Sequence, residues 1–440
     1  MRSFILLITL ITPYITRSQN QGISSKKVVI ILVDGIPTDL LYKTSTPVLD
    51  AIAKEGAFSE AYVGGRKLHV TESPTISAVG YNSMLTGTWA HKHNVYGNAI
   101  RNPNYHYPTI FRLLKNAYPN KKIAIYSTWL DNRTKLLGEG LDATQRLKVD
   151  FHFDGLELDK KNYPHDPEKK YLKRIDAEVA RKAANHIWKT GPDLSWVYLE
   201  HSDDVGHMYG DGPQLRGTIA YEDALIGLIW DAVKLRAKNT GEDWLVIVTT
   251  DHGRDPKNAQ NHGGQSYRER STWVVLSQPK TNRYFKNNKV AIVDIVPTIA
   301  DFMNISIPTE TAYEMDGVSL IQPLDAFELT GTCYNRKYLH LKWFTEQPQK
   351  ILRQGFTPSR LKQKNTSSPK TKSSVAKVLI SYTNEFAKGG KDDYEVLGEV
   401  ALAQKEFTTK IRPKNKAKYA KIVLETSNHT IATWVKLDNE

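Results

Sequence analysis

A chain of 440 residues is too long for one average domain, so two are expected, and 40% hydrophobic with 10% aromatic residues is enough for a substantial core. The formal net charge is +13, and Cys333 is the only cysteine, which excludes an intrachain disulfide. Beyond residue 18 no segment is apolar enough to span a membrane.

Residues 1–18 read as a secretory signal: Arg2, an apolar run from Phe4 to Ile15, then Thr16-Arg17-Ser18. The run is about 12 residues, too short to cross a bilayer. An exported chain with one cysteine fits a periplasmic or secreted bacterial enzyme better than a disulfide-rich ectodomain.

Val28 to Val33 is a continuous β-branched run, the pattern of a strand buried on both faces. It ends in Asp34-Gly35, a turn by composition, yet also where open α/β sheets place their sites. Thr46-Pro47 opens a helix that Gly56 stops. A Ser/Thr-rich loop then runs to Ser77, followed by a small-residue helix closed by Thr86-Gly87. A helix N-terminus carries about half a positive charge and free N–H groups, so it favours anions. The plain alternative makes Ser77 an N-cap. A helix over 108–115, a strand over 121–126 and a polar loop over 127–133 follow. Residues 138–170 show little periodicity and read as a long excursion over the site.

A helix from Tyr171 to Lys189 precedes a strand, Ser195 to Leu199, that runs into Glu200-His-Ser-Asp-Asp-Val-Gly-His207. A long helix over 214–238 leads to a strand, Asp243 to Thr250, ending in Asp251-His252-Gly253. His262-Gly263-Gly264 and a strand over 272–276 complete the pattern. Strands alternating with helices indicate a doubly wound α/β sheet. Three strand ends thus carry Asp34, then Asp203 with His207, then Asp251 with His252, and His262 lies in a Gly-rich loop. Carboxylate and imidazole are ligands for zinc and similar ions, and there are enough here for two. Two ions can hold a phosphoryl group and activate a hydroxyl, for which Ser77 is the candidate and Ser73 and Thr75 the competitors.

These motifs resemble the alkaline phosphatase superfamily in its type I phosphodiesterase/nucleotide pyrophosphatase branch. The resemblance rests on Val33-Asp34-Gly35, Ser77 ten residues before Gly87, Gly97-Asn98, Asp203 with His207, Thr250-Asp251-His252-Gly253 and His262-Gly263, across residues 26–322. It implies an alkaline-phosphatase-like sheet flanked by helices. It also implies one zinc on Asp203, His207 and His262, and a second on Asp34, Asp251, His252 and the Ser77 oxygen. Asn98 follows the nucleophile at the spacing of the branch's phosphate donor; without the resemblance it reads as a Gly-Asn turn. The chain departs from the pattern in having Ser rather than Thr as nucleophile, as in the Thr-x-Ser pattern of ethanolamine-phosphate transferases. Ala78 stands where nucleotide-binding relatives carry an aromatic. Similar bacterial monoesterases carry a Lys-x-Arg pair, but here Asp131-Asn132-Arg133 supplies only Arg133 as a substrate contact, or as a solvated cation. No cysteine stands at the nucleophile position, which argues against a formylglycine sulfatase.

Residues 290–302 and 315–320 resemble the end of the superfamily core. Residues 350–372 are basic without an acid and read as a loop or linker. Short strands over 376–382, 394–397, 406–411, 420–425 and 430–436 indicate a β-sandwich. The expected organisation is a signal peptide over 1–18, a catalytic domain over 19–325, a linker with a basic loop over 326–375 and a small sandwich over 376–440. The expected activity is a secreted two-zinc phosphodiesterase or nucleotide pyrophosphatase acting on a small phosphate ester, without specific nucleic-acid recognition. The alternatives are a phosphomonoesterase using Arg133, a phosphoethanolamine transferase, and a catalytically silent protein whose C-terminal domain binds glycan or surface polymer.

Overall fold

The fold is that of a computed structural model and is described for residues 25–287, 290–345, 374–382, 393–414 and 416–437. The signal-peptide reading of residues 1–18 and the basic stretch 350–372 lie outside the described residues.

Eight strands form the core sheet: β1 (Lys26–Val33), β2 (Ala57–Tyr62), β3 (Ile123–Ser127), β4 (Phe151–Phe153), β5 (Leu194–Leu199), β6 (Asp243–Thr249), β7 (Ser271–Leu276) and β8 (Val290–Ala291). Their order is β4-β3-β5-β1-β6-β7-β2-β8. β7 runs antiparallel to both its neighbours, so the sheet is mixed. The short strands β2 and β4 were not legible in the sequence pattern. The apolar run of β1 divides by alternation. Val28, Ile30 and Leu32 pack with the helices Ser77–Thr86, Ile110–Ala117 and Ile295–Met303. Val29, Ile31 and Val33 pack with Pro47–Glu55, Lys170–Lys189 and Pro213–Thr240. Helices on both faces explain why this strand has no polar side.

The register of the sheet builds the site. Central β1 lies between β5 and β6, with Val33 opposite Leu199 and Leu32 opposite Thr249. The strands are parallel, so the residues that follow them, Asp34, Glu200 and Thr250-Asp251, emerge at one edge.

The C-terminal region contains β9 (Phe327–Tyr334), β10 (Tyr338–Phe344), β11 (Val375–Ser381), β12 (Glu395–Ala401), β13 (Glu406–Lys410), β14 (Tyr419–Glu425) and β15 (Thr430–Lys436). They form two antiparallel sheets, β13-β10-β9 and β12-β11-β14-β15. Leu339, Leu341 and Trp343 of one sheet share a core with Val378, Ile422 and Val435 of the other. Residues 327–344 are therefore strands rather than part of a linker. The alternation Leu339-His-Leu341-Lys-Trp343 buries one face of β10, a signal that the nearby basic composition obscured. Among the described residues, no helix is long and apolar enough to cross a membrane.

Candidate active site

Asp34 leaves β1, and Asp251 and His252 leave β6. Asp203 and His207 lie on the helix His201–Tyr209 after β5, where the i, i+4 spacing puts both on one face. His262 arrives from the loop before the turn Tyr267–Arg270. The structure brings all six together with Ser77. His207 Nε2 is 3.1 Å from Asp203 Oδ2 and 3.1 Å from His262 Nε2. His262 Nε2 is 3.9 Å from Asp203 Oδ1. His252 Nε2 is 3.4 Å from Asp34 Oδ1, from Asp251 Oδ2 and from Ser77 Oγ.

The tautomers follow from the outer partners. Nδ1 of His207 lies 2.6 Å from Gln260 O, that of His262 2.8 Å from Thr75 O, and that of His252 2.9 Å from Gly253 O. A carbonyl only accepts, so each Nδ1 carries a proton; burial lowers the His252 and His262 imidazoles, whose Nε2 atoms face the cluster as acceptors, while the hydrogen bond with Asp203 raises the His207 imidazole. His207 Nε2 thus lies between the Asp203 carboxylate and the His262 Nε2, 3.1 Å from each. Among the described residues, buried Oδ1 of Asp34 and Oδ2 of Asp251 have no hydrogen-bond donor. Carboxylates and imidazoles with this outer support are the donor set of a zinc-type site. Ligand atoms of Asp203, His207 and His262 form one compact group, and those of Asp34, Asp203 and His252 a second. Asp203 thus stands between the two groups. Asp251 is set back, because its Oδ1 accepts the Gly35 N–H at 3.1 Å.

The electrostatics agree with this donor set. Burial, and then the charge of Asp203, push the Asp34 carboxyl up to about 7. Burial and Asp34 raise Asp251 well above the usual range. Burial also acts to raise Asp203, but the Arg254 guanidinium and the hydrogen bond with His207 outweigh it and hold that carboxyl low. Burial and the neighbouring His262 lower the His252 imidazole. Crowded buried carboxylates are raised where no cation offsets them.

Ser77 is 6% exposed and is the first residue of its helix; the N-cap is Ile76. The capping role considered for Ser77 therefore passes to the residue before it, and the hydroxyl turns to His252. Asn98 Oδ1 accepts the Ala78 N–H at 3.0 Å, which ties that amide to the residue after Ser77 and leaves its NH2 group as the donor side.

The structure does not join Arg133 to this group. Its Nε and Nη2 pair with Asp154 at 2.6 and 2.9 Å, and its Nη1 with Glu139 at 2.5 Å. Two carboxylates neutralise it, which removes the free cation expected as a substrate contact.

Three residues at the site were not foreseen. Arg254, 0% exposed, places Nη2 2.6 Å from Asp203 Oδ1 and donates through Nε to Gly35 O at 3.0 Å. Room for it comes from Gly206, where a Cβ would stand 2.1 Å from the Arg254 Cζ. A charged residue directly after Asp-His-Gly was the available signal. Tyr198 donates to Asp34 Oδ2 at 2.7 Å and Tyr81 donates to the same oxygen. This turns Oδ1 toward His252. Two tyrosines far apart in the chain carry no local signature of such a role.

The model of the family described as type I phosphodiesterase / nucleotide pyrophosphatase matches residues 28–292. An uncharacterized pyrophosphatase/phosphodiesterase of Schizosaccharomyces pombe is 26% identical over 262 residues, 56% of this chain and 49% of that protein. GPI ethanolamine phosphate transferase 2 of the same yeast is 26% identical over 209 residues, 43% of this chain and 24% of that one. Human ectonucleotide pyrophosphatase/phosphodiesterase family member 7 is 24% identical over 251 residues, 53% and 49% of the two chains. The chain thus spans about half, or less, of the length of these relatives. Among solved structures, human ectonucleotide pyrophosphatase / phosphodiesterase 5 superposes with a TM-score of 0.46 at 15% identity, covering 64% of this chain and 96% of that one.

Proposed function

The chain belongs to the type I phosphodiesterase / nucleotide pyrophosphatase family, and from that premise we propose that it hydrolyses phosphodiester or pyrophosphate bonds with Ser77 as nucleophile. The observation that carries this reading is the convergence of three imidazole Nε2 atoms, each ring held by its Nδ1 on a backbone carbonyl, and of the buried Asp34 and Asp251 oxygens beside the Ser77 hydroxyl. Two zinc ions, one on Asp203, His207 and His262 and the other on Asp34, Asp251 and His252 beside Ser77, would make the hydroxyl more acidic and offset phosphoryl charge.

The chain's own groups do the rest. The Ser77 Oγ attacks phosphorus, forming an O–P bond as the bond from phosphorus to the leaving oxygen breaks, and the proton that Ser77 gives up passes through solvent to that oxygen. Water then displaces Ser77 in a second substitution, releasing the phosphate product and returning a proton to the serine. The Asn98 NH2 donates to a non-bridging oxygen as charge builds on it. Its anchor on the Ala78 N–H fixes that donor relative to the nucleophile. Arg133 is already paired with Asp154 and Glu139. No cation is thereby assigned to the extra charge of a monoester, which favours the diester. Export, read from residues 1–18, completes the proposal.

The test is turnover of zinc-loaded protein on bis-para-nitrophenyl phosphate and para-nitrophenyl phosphate side by side, with Ser77→Ala as control. Diester preference lost in the control supports the reading. Monoester preference makes the protein a phosphatase, and activity that survives Ser77→Ala rejects the nucleophile.

A further inference from the structure

We propose that the C-terminal sandwich is a positioning part of the catalytic centre: Trp434 and Lys421 clamp the two segments that flank the nucleophile helix and so set Ser77 against Asn98. This rests on the roles proposed above for those two residues.

The segment before the helix is held at His69, whose Nε2 lies 3.3 Å from the Trp434 carbonyl and whose ring meets Tyr419 edge-on at 5.7 Å. From His69 the contacts run inward. Its Nδ1 is 3.1 Å from Thr71 Oγ1, and the Thr75 carbonyl accepts from His262. The segment after the helix is held at His91 and Lys92. The His91 ring stands edge-on to Trp434 at 5.3 Å. The Lys92 ammonium lies 5.5 Å from the Trp434 ring centre and the Lys421 ammonium 5.6 Å from it. The two segments are also tied to each other, since Ala90 N–H donates to Ser73 Oγ at 3.0 Å. One residue of β15 therefore braces both approaches, His69 through its carbonyl and His91 and Lys92 through its ring.

The chemistry of the clamp argues for register rather than for adhesion. Lys92 and Lys421 are both fully buried. Lys92 pairs with Asp316 at 3.0 Å and Glu314 at 3.6 Å, and Lys421 with Glu314 at 3.2 Å. Tyr394 donates to the other Glu314 oxygen at 2.8 Å. Two ammoniums and two carboxylates balance. Buried ion clusters gain little stability over apolar residues of the same volume, because each ion must be desolvated; what they can impose is a single docking geometry.

The experiment uses the full zinc-loaded chain with Lys421→Met, which removes one charge at nearly constant volume, and Lys421→Met/Glu314→Gln, which restores the balance. Turnover on the diester, zinc content, melting temperature and hydrogen exchange over residues 77–98 are read together. The single variant is expected to keep its zinc and lose about 10-fold or more in kcat with little change in KM, because small misplacements of reacting groups are costly. The double variant is expected to recover most of that loss. Exchange over 77–98 is expected to speed up in the single variant and slow again in the double. A folded Lys421→Met protein with wild-type kcat and unchanged exchange overturns the clamp. If Lys421→Met does not fold, Trp434→Leu is the second variant, which removes the ring that His91, Lys92 and Lys421 face; a folded protein with wild-type kcat and unchanged exchange over 77–98 then overturns the clamp. A wild-type protein inactive on both esters counts against the proposed function, and exchange alone then decides the clamp.

Discussion

Arg254 reaches Asp203 twice, with Nη2 2.6 Å from the carboxylate Oδ1 and 2.8 Å from the main-chain carbonyl. The pair sets a fixed positive charge against the carboxylate shared by both groups of candidate ligands. Arg254→Met is expected to cost about 3–5 kcal/mol in the chelated protein, since removing one partner strands a buried charge. The cost should be smaller with zinc present. Urea unfolding with EDTA and with zinc measures both.

Gly80 lies one turn along the nucleophile helix, against Asp251. A Cβ there would stand 2.8 Å from the Asp251 carbonyl oxygen and 2.9 Å from its Cβ, contacts that only backbone movement relieves. Gly80→Ala is expected to destabilise by about 1–3 kcal/mol, the usual cost of overpacking. It should also lower kcat more than KM, because it pushes Ser77 away from Asp251. Steady-state kinetics beside a melting curve checks the pair of effects.

Tyr198 orients Asp34 from behind through its 2.7 Å hydrogen bond. Tyr198→Phe keeps the ring and removes the donor. Zinc affinity is expected to fall by about 10- to 100-fold, the range for lost outer partners of metal ligands. Competition against a chromogenic chelator reads this without reference to turnover.

Asp294 offers a pH test away from the catalytic cluster. It accepts from the Ala291 and Val318 N–H groups and the Tyr284 hydroxyl. Burial pushes its carboxyl up to about 7 from 3.8. Between those values the folded state keeps a proton that the unfolded state has lost, so the stability contributed by this group falls as pH rises. Relative to Asp294→Asn, the wild type is expected to be most stable near pH 4 and to lose ground up to about pH 7. Denaturant unfolding of both proteins across that range measures the difference.

The legible parts of the fold were those with a local signal. Val28–Val33 announces itself because a strand covered on both faces has no polar side. Asp203 and His207 declare a shared helix face by their spacing. Asp34, Asp251 and His252 declare themselves by standing directly after apolar runs. Arg133 reads as a free cation because its bidentate partner Asp154 lies 21 residues away, and Glu139, six residues along, meets it only once the chain folds back. The strands over 327–344 were hidden by reading composition where alternation of period two was the better guide.

The sequence by itself determined which residues could do chemistry, since side-chain type and spacing along one strand end or helix turn are local properties. Only the tertiary structure decided which of them meet, and what stands behind them. Arg254 finds Asp203 across 51 residues, Tyr198 finds Asp34 across 164, and Lys421 finds Glu314 across 107. Such contacts follow from the parallel register of β5, β1 and β6 and from the docking of one core on another. A linear pattern does not contain them, because burial and charge pairing are properties of the packed chain.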